Sequence, residues 1–251
     1  MQTLSRRSFT KQALGSLLTY SLLETACRND LFADEVKPIT TRWLAELETL
    51  GQEVKNQELR QVEWQQKVEE LFSKVDLPDL LRFMDFDRLV KNTKLIDHGA
   101  RSIRFNFPAV EGLPKNLVFG KQIFGLKKGR SVIPHGHNNM ATAFLILKGD
   151  LRGRHYDRLE DGKDDIIIRP TIDRTFRRAE YSTVSDYKDN IHWFEATTEP
   201  AYIFNIHVLN IRPGSKLSTG RIYLNPHGEK LKGGLIKAPR IGYREANRLF
   251  G

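Results

Sequence analysis

Cysteine is almost absent from the sequence: Cys27 is the only one among 251 residues. A single cysteine excludes an intrachain disulfide, and a hydrophobic content of 39% fits a globular protein. Long apolar runs are also missing. The most apolar stretch near the start, residues 13–26, is shorter than the roughly 20 residues needed to span a bilayer. We therefore expect no stable membrane span.

Acidic residues are too few to balance the basic ones, and the formal net charge is +9 at pH 7. The excess is spread along the chain and forms no dense basic stripe, so nucleic acid is not an expected partner. A charge of this kind favours solubility and some attraction for anions.

The first residues follow the order of an export signal. Arg6-Arg7 is followed by Phe9, by the apolar stretch 13–26 and then by polar residues. This order resembles the bacterial twin-arginine signal and predicts a signal peptide over residues 1–33, cleaved after Ala33. The resemblance implies the twin-arginine export machinery as a partner and a periplasmic or secreted protein. An ordinary amphipathic helix is the alternative.

Removal of that signal would also remove Cys27, and a mature protein without cysteine suits an oxidising compartment. Lipid attachment at Cys27 is the alternative, because Thr25-Ala26 places small residues before it. Glu24 stands where a lipoprotein signal has Leu, so we do not expect a lipid anchor.

The segment after the signal has a helical pattern. Apolar residues recur at three- and four-residue steps over residues 38–75, with Gly51 as a candidate break point. A second, short helix is predicted over Asp79–Asn92, with Pro78 in its first turn. Residues 34–93 are therefore expected to form a helical segment that packs on the rest of the fold.

From residue 94 onward the pattern changes to short β-like runs separated by glycine-containing turns. Many short strands at this spacing are typical of an antiparallel sandwich or barrel. Residues 94–251 are assigned to this mainly β domain. Their tail, residues 212–251, is expected to wrap the barrel and to end in a short helix near Tyr243–Phe250. The strands are predicted at residues 102–107, 121–126, 131–134, 143–147, 166–169, 180–184, 191–195 and 202–211.

Two of the seven histidines, His135 and His137, flank Gly136 in one of the predicted strands. Alternate side chains of a strand point the same way, about 7 Å apart, so both imidazoles can reach one metal ion. Imidazole suits Fe, Zn, Cu and Ni. The alternative is a pair of ordinary strand histidines.

The residues around this pair resemble the first motif of the cupin family. That motif has Gly, five residues, His-x-His, three or four residues, Glu, six residues and Gly. The same spacings are met here by Gly129, His135-Gly136-His137 and Gly149, with Thr142 in place of the Glu. The resemblance implies a cupin barrel, also called a double-stranded β-helix or jelly roll.

A second cupin motif supplies one more histidine from a later hairpin, and His192 fits that role. The resemblance thus implies a metal site of His135, His137 and His192. Thr is a poor metal ligand, so Thr142 leaves three neutral imidazoles and open positions for substrate and dioxygen. Such a site favours an anionic substrate that binds the metal directly, such as a thiolate, an enolate or a carboxylate.

Shorter matches are similar to thiol dioxygenases of the 2-aminoethanethiol dioxygenase and plant cysteine oxidase type. They are His135-x-His137-x-x-Met140, Leu147-x-Gly149, Tyr156-Asp157 and Asn190-Ile191-His192. This resemblance implies Fe(II), with another divalent transition metal as the alternative, and O₂-dependent oxidation of a small thiol to a sulfinate. Two other functions stay open. One is a three-histidine cupin dioxygenase that cleaves a carbon–carbon bond of a diketone or diol, and the other is a non-catalytic metal- or ligand-binding cupin.

Other candidate residues receive more ordinary interpretations. His155 lies in a charged run and is expected to be exposed or next to the ligands. His207 could line the pocket or donate to a ligand, but the core or the surface is its favoured position. Arg174-x-x-Arg177-Arg178 could recognise a substrate carboxylate, but a solvated face is the favoured interpretation.

Overall fold

The structure of the protein, a computed structural model, describes the backbone of residues 31–251 and the side chains of residues 40–251. The predicted signal peptide thus lies outside the described residues except for its last three, and Cys27 lies outside them entirely. Over the described range, α-helices precede and follow a series of strands. The helices are α1 (Leu31–Lys55), α2 (Gln61–Ser73), α3 (Leu77–Phe83), α4 (Phe86–Lys91) and α5 (Tyr243–Phe250).

Twelve strands are found in the part of the chain that the structure describes, and all of their pairings are antiparallel. A short 3-10 turn, Lys232–Gly234, precedes the last of them. The strands are β1 (Arg101–Ile103), β2 (Gly120–Leu126), β3 (Ser131–Asn138), β4 (Met140–Lys148), β5 (Leu151–Asp161), β6 (Asp165–Phe176), β7 (Tyr181–Val184), β8 (Ile191–Ala196), β9 (Ala201–Leu209), β10 (Gly220–Leu224), β11 (Glu229–Lys230) and β12 (Ile236–Ile241).

The predicted helices are present, but their breaks differ from the predicted ones. The first break follows Lys55, and Gly51 lies inside α1. A Cβ atom on Gly51 would lie 2.5 Å from Cγ1 of Val118, so this glycine allows α1 to approach the barrel closely. The second predicted helix is divided at Asp85, whose φ of 52° cannot continue a right-handed helix.

The strands form two sheets that face each other. One has the order β1-β2-β9-β4-β7 and the other β10-β3-β8-β5-β6-β12-β11. Apolar side chains from both sheets fill the space between them; examples are Phe144 and Ile203 from the first sheet and Phe194 from the second. This is a cupin barrel, the fold class expected from the sequence.

Strand β4 is buried on both faces because the barrel interior covers one face and the helices cover the other. Thr142 and Phe144 point into the barrel, whereas Ala143 and Leu145 contact the helical layer. The helices supply large aromatic side chains to this second core. None of the described helices is both long and apolar enough to cross a bilayer.

The tail does wrap the barrel, but it does so with strands that the sequence did not predict. Strand β10 pairs with β3, β12 pairs with β6, and β10 and β12 pair with each other. The strands β10, β3, β8, β5, β6 and β12 therefore close into a ring. Its interior contains Ile168, Ile191 and Leu224. The final helix, α5, has the predicted bounds.

Candidate metal centre

A row of histidines crosses the second sheet. His192 on β8 lies directly opposite His135 on β3 and directly opposite His155 on β5. Residues that face each other across antiparallel strands share a face of the sheet, and so do residues two apart in one strand. His137, two residues after His135, thus joins the row on the face that lines the barrel interior.

Three of these four imidazoles form one compact group. The ring centroids are 4.2 Å apart for His135 and His192, 4.9 Å for His137 and His192, and 5.0 Å for His135 and His137. One ring nitrogen of each lies within 4.8 Å of the others, and all three residues are buried. These are the histidines that the sequence resemblance singled out. The group could hold a divalent metal ion, and the assignment of its members as ligands stays a prediction.

The hydrogen bonds of the three rings suit metal binding. Nδ1 of His135 lies 2.8 Å from the carbonyl oxygen of Ile133, which can only accept, so Nδ1 carries the proton and Nε2 keeps its lone pair. Nδ1 of His137 lies 3.2 Å from Oγ1 of Thr142. Nε2 of His137 and Nδ1 of His192 are buried without a partner among the described residues. Unpaired buried nitrogens are costly, and a metal ion would satisfy them.

Burial also keeps the imidazoles in the protonation state that metals require. Burial, together with the nearby charge of Arg221, lowers the pKa of His135 to about 3. Burial and the neighbouring His135 place the pKa values of His137 and His192 well below the ordinary value. All three rings are therefore neutral at pH 7, and a neutral imidazole binds a metal ion without first losing a proton.

Among the described residues, no carboxylate lines the pocket to take the place of the glutamate for which Thr142 stands in the cupin-like motif. Thr142 lines the pocket and contacts the ring of His137, and none of the other lining residues is acidic. Three neutral ligands would leave the full charge of a divalent ion uncompensated by the protein. The lining residues are Phe124, His135, His137, Met140, Thr142, Phe144, His192, Asn205, His207 and Arg221.

The pocket around the histidines is small. Its volume is about 10 Å³, which is room for about one water molecule. Phe144 packs on the group of three histidines, with its ring centroid 4.8 Å from that of His192. Arg221 lines the same pocket and is exposed to solvent, so the pocket reaches the surface at this arginine.

Asn190 fixes the position of His137 from the segment before β8. Its Nδ2 donates to the carbonyl oxygens of His137 at 2.9 Å and Ser185 at 2.8 Å, and its Oδ1 accepts from the His137 amide at 3.3 Å. A Cβ atom on Gly136 would lie only 2.7 Å from that Oδ1. The glycine between the two histidines thus makes room for the side chain that holds one of them.

The remaining histidines and arginines of interest lie as follows. His155 is fully buried, 6.2 Å from His192 between ring centroids, and its Nε2 lies 3.1 Å from Oγ of Ser182. It thus lies next to the ligand group, the second of the two expected positions. His207 lines the pocket opposite Thr142, so its favoured position in the core or at the surface was wrong and the alternative position was right. Arg174 is exposed and bonds Glu180 at 2.7 Å, as expected for a solvated face.

Arg221 is not among the site residues that the sequence predicts. It lies in the tail that is expected to wrap the barrel, and its approach to the site depends on the pairing of β10 with β3. A signal was present: Arg221 and Tyr223 alternate with apolar residues in the short run Arg-Ile-Tyr-Leu, as they would in a strand.

No family model matches the sequence, and no curated protein matches it either. Among solved structures, procruciferin, an 11S globulin from Brassica napus, is similar at 10% identity and a TM-score of 0.33, over 43% of this chain and 23% of that one. A cupin superfamily protein from Desulfitobacterium hafniense is similar at 13% identity and a TM-score of 0.32, over 48% of this chain and 87% of that one. Oxalate oxidase in complex with the substrate analogue glycolate is similar at 17% identity and a TM-score of 0.30, over 39% and 44%. The match spans less than a quarter of the globulin, and the assignment of the barrel rests on the two sheets themselves.

Proposed function

We propose that this protein is a non-haem Fe(II) dioxygenase of the three-histidine type that oxidises a small thiol to a sulfinate. The observation that carries the proposal is the group of three buried, neutral histidines in a pocket without a carboxylate. A site with this charge favours a substrate that brings its own negative charge, and a thiolate does so.

The overall reaction balances without a further reductant. A thiol, RSH, and O₂ give a sulfinic acid, RSO₂H: the O–O bond breaks, two S–O bonds form, and the proton stays with the product. Sulfur loses four electrons and dioxygen gains them. Iron held by His135, His137 and His192 would supply binding positions for the thiolate and redox activation of O₂.

The protein's own side chains would bind the substrate and keep water out. Phe124 and Phe144 give the pocket apolar walls, and Met140 adds a soft side chain. A dry pocket strengthens the electrostatic contacts within it. Its volume of about 10 Å³ favours a substrate that inserts a single atom or small group.

Oxygen consumption tests the proposal. Iron-loaded protein should consume O₂ with at least one small thiol and should form a sulfinate that carries both atoms of ¹⁸O₂. His192→Ala should abolish consumption, whereas His98→Ala, which removes an exposed histidine outside the pocket, should leave it unchanged. The absence of consumption with every thiol would refute the proposal. Consumption with a diketone or catechol instead would favour the carbon–carbon cleaving alternative.

We also propose that the protein is exported by the twin-arginine route. This route carries folded proteins, so iron could be inserted before export. Replacement of Arg6 and Arg7 by lysine should retain the full-length precursor in the cytoplasm, as followed by cell fractionation. Unchanged export of that variant would contradict this proposal.

A further inference from the structure

The C-terminal extension contributes a cation to the metal pocket. Arg221 on β10 lies directly opposite His137, and Tyr223 lies directly opposite His135. Facing residues share a side of the sheet, so Arg221, Tyr223 and the ligand histidines lie on one side. Ile222, which lies between Arg221 and Tyr223 in the strand, points to the other side and faces the interior of the strand ring. The extension thus completes the site in addition to closing the ring.

Arg221 has no carboxylate partner among the described residues. Other arginines of the same sheet form ion pairs with carboxylates: Arg158 and Arg240 both pair with Asp161, and Arg154 pairs with Glu195. No acidic side chain lines the pocket that Arg221 shares with the histidines. An arginine left without a partner at the mouth of a ligand pocket is available to an incoming anion.

The charge of Arg221 acts on the whole pocket. This charge is a cause of the lowered pKa of His135, second to burial, and a smaller cause of the lowered pKa values of His137 and His192, after burial and the neighbouring imidazoles. It also contributes, after burial, to the lowered pKa of about 4 at His207. A charge felt at all four imidazoles is close enough to attract or repel a substrate bound there.

The geometry points to a substrate with a second negative group: a thiol that also carries a carboxylate, with Arg221 as the residue that binds the carboxylate. This inference rests on the proposed function of the site. Cβ atoms of facing residues lie about 5 Å apart, so a chain of two or three carbon atoms can join a thiolate at the histidines to a carboxylate at Arg221. A guanidinium binds a carboxylate through two parallel hydrogen bonds.

The same geometry argues against an aminothiol. The ammonium group of 2-aminoethanethiol would approach both Arg221 and a divalent ion, and no carboxylate among the described pocket residues would compensate for the repulsion. The substrate preference should therefore depart from the one that the resemblance to 2-aminoethanethiol dioxygenases implies. Selectivity would come from repulsion of the wrong charge as well as from attraction of the right one.

Three thiols of similar size and different charge test the inference on the wild-type protein. They are 3-mercaptopropionate, the neutral 2-mercaptoethanol and 2-aminoethanethiol. Dissociation constants are measured by anaerobic calorimetry on zinc-loaded protein, and kcat/KM is measured on iron-loaded protein. We expect 3-mercaptopropionate to bind about 10- to 100-fold more tightly than 2-mercaptoethanol, as a charge-assisted contact predicts, and 2-aminoethanethiol to bind most weakly.

Variants of one arginine assign the effect to Arg221. Arg221→Gln should abolish the preference for the carboxylate and should change the binding of 2-mercaptoethanol little, whereas Arg221→Lys should keep part of the preference. Arg248→Gln is the matched control, because it removes one exposed positive charge from the same extension. An equal loss for all three thiols in Arg221→Gln would indicate a structural role and would overturn the inference.

The two proposals can fail separately. A wild-type protein that oxidises thiols but prefers 2-aminoethanethiol, or shows no preference, overturns the carboxylate inference and leaves the proposed function intact. A zinc-loaded protein that binds 3-mercaptopropionate selectively, although the iron form consumes no O₂, supports the role of Arg221 and refutes the dioxygenase. The wild-type series decides the inference even if Arg221→Gln does not fold.

Discussion

At the scale of single residues, Asn190 links the two strands that carry the histidines. It is buried, and it donates two hydrogen bonds and accepts one, with His137 as the partner in two of the three. The segment 185–190 and the strand β3 are distant in sequence, so this one amide holds them in register next to the pocket. We therefore treat Asn190 as a positioning residue for His137.

Asn190→Ala should weaken metal binding while the barrel persists. Loss of the clamp frees the His137 backbone, and partners of this kind are typically worth about 10- to 100-fold in metal affinity. The unpaired carbonyls should also lower the free energy of unfolding by about 1–3 kcal/mol. Competition with a chelator measures the affinity, and denaturant unfolding measures the stability. Asn106→Ala, at an exposed position, is the control, and equal affinities in the two variants would contradict the positioning role.

The group of three histidines could be anticipated from the sequence, although their role as metal ligands stays a prediction, whereas the residues around them could not be anticipated. His135 and His137 share a face because strand side chains alternate, and this rule is local. The pairing of His192 with both His135 and His155 depends on the register of three strands, which loop geometry and packing determine. Arg221 reaches the pocket by a pairing of the same long-range kind, so local patterns could not place it.

At the scale of elements, helix α2 is attached to the barrel by a polar contact next to the site. Gln65 is buried between α2 and β7, where its Nε2 donates to Oγ1 of Thr183 at 3.3 Å and its Oε1 accepts from Oγ of Ser185 at 2.7 Å. The carbonyl of Ser185 in turn accepts from Asn190. The helical layer is thus connected to the segment that holds His137.

Gln65→Ala should destabilise the protein by about 1–3 kcal/mol, because the buried hydroxyl of Ser185 loses the acceptor of its hydrogen bond. Gln66→Ala is a close control: it is the next residue of the same helix, it makes the same chemical change, and its side chain is exposed. That variant should stay within about 0.5 kcal/mol of the wild type. Urea unfolding compares them, and equal losses of stability would show that the buried contact contributes nothing.

Some boundaries and short strands could not be predicted from local sequence patterns. The predicted break at Gly51 was wrong because glycine there serves close packing of α1 on the barrel, which helix propensity does not reveal. Strands β10 and β12 were missed because they are short and lie among Gly, Pro and charged residues. Their stability comes from pairing with β3 and β6 and not from their own sequence.

At the scale of the whole molecule, the barrel buries four histidines and half-buries a fifth, His207, and all five remain neutral at pH 7. The pKa is lowered to about 3 for His135 and His155 and to about 4 for His207, with burial as the main cause, and it is well below the ordinary value of 6.5 for His137 and His192. The barrel itself was predictable from strand number and spacing. The closure of six strands into a ring was not, because it depends on a tail strand that returns to the first histidine strand.

Acid should destabilise the metal-free protein in a defined window. As pH falls below about 6.5, histidines of the unfolded chain take up protons that the folded protein excludes, so stability falls between about pH 6.5 and the folded values near 3 to 4. Each such histidine contributes a slope of up to about 1.4 kcal/mol per pH unit. Denaturant unfolding in the presence of a chelator at several pH values measures this slope. His155→Gln should reduce the slope of stability against pH by the contribution of one histidine, up to about 1.4 kcal/mol per pH unit. An unchanged slope would contradict the burial of His155 in its neutral form.

Titration of metal-stripped protein with Fe(II) under anaerobic conditions is the most direct test of a metal site at His135, His137 and His192. We expect one saturable site per chain in the wild type, no measurable site in His135→Ala, His137→Ala or His192→Ala, and an undiminished site in His98→Ala. A wild-type protein that binds no stoichiometric metal, or three histidine variants that bind it as well as the wild type does, would rule out this site.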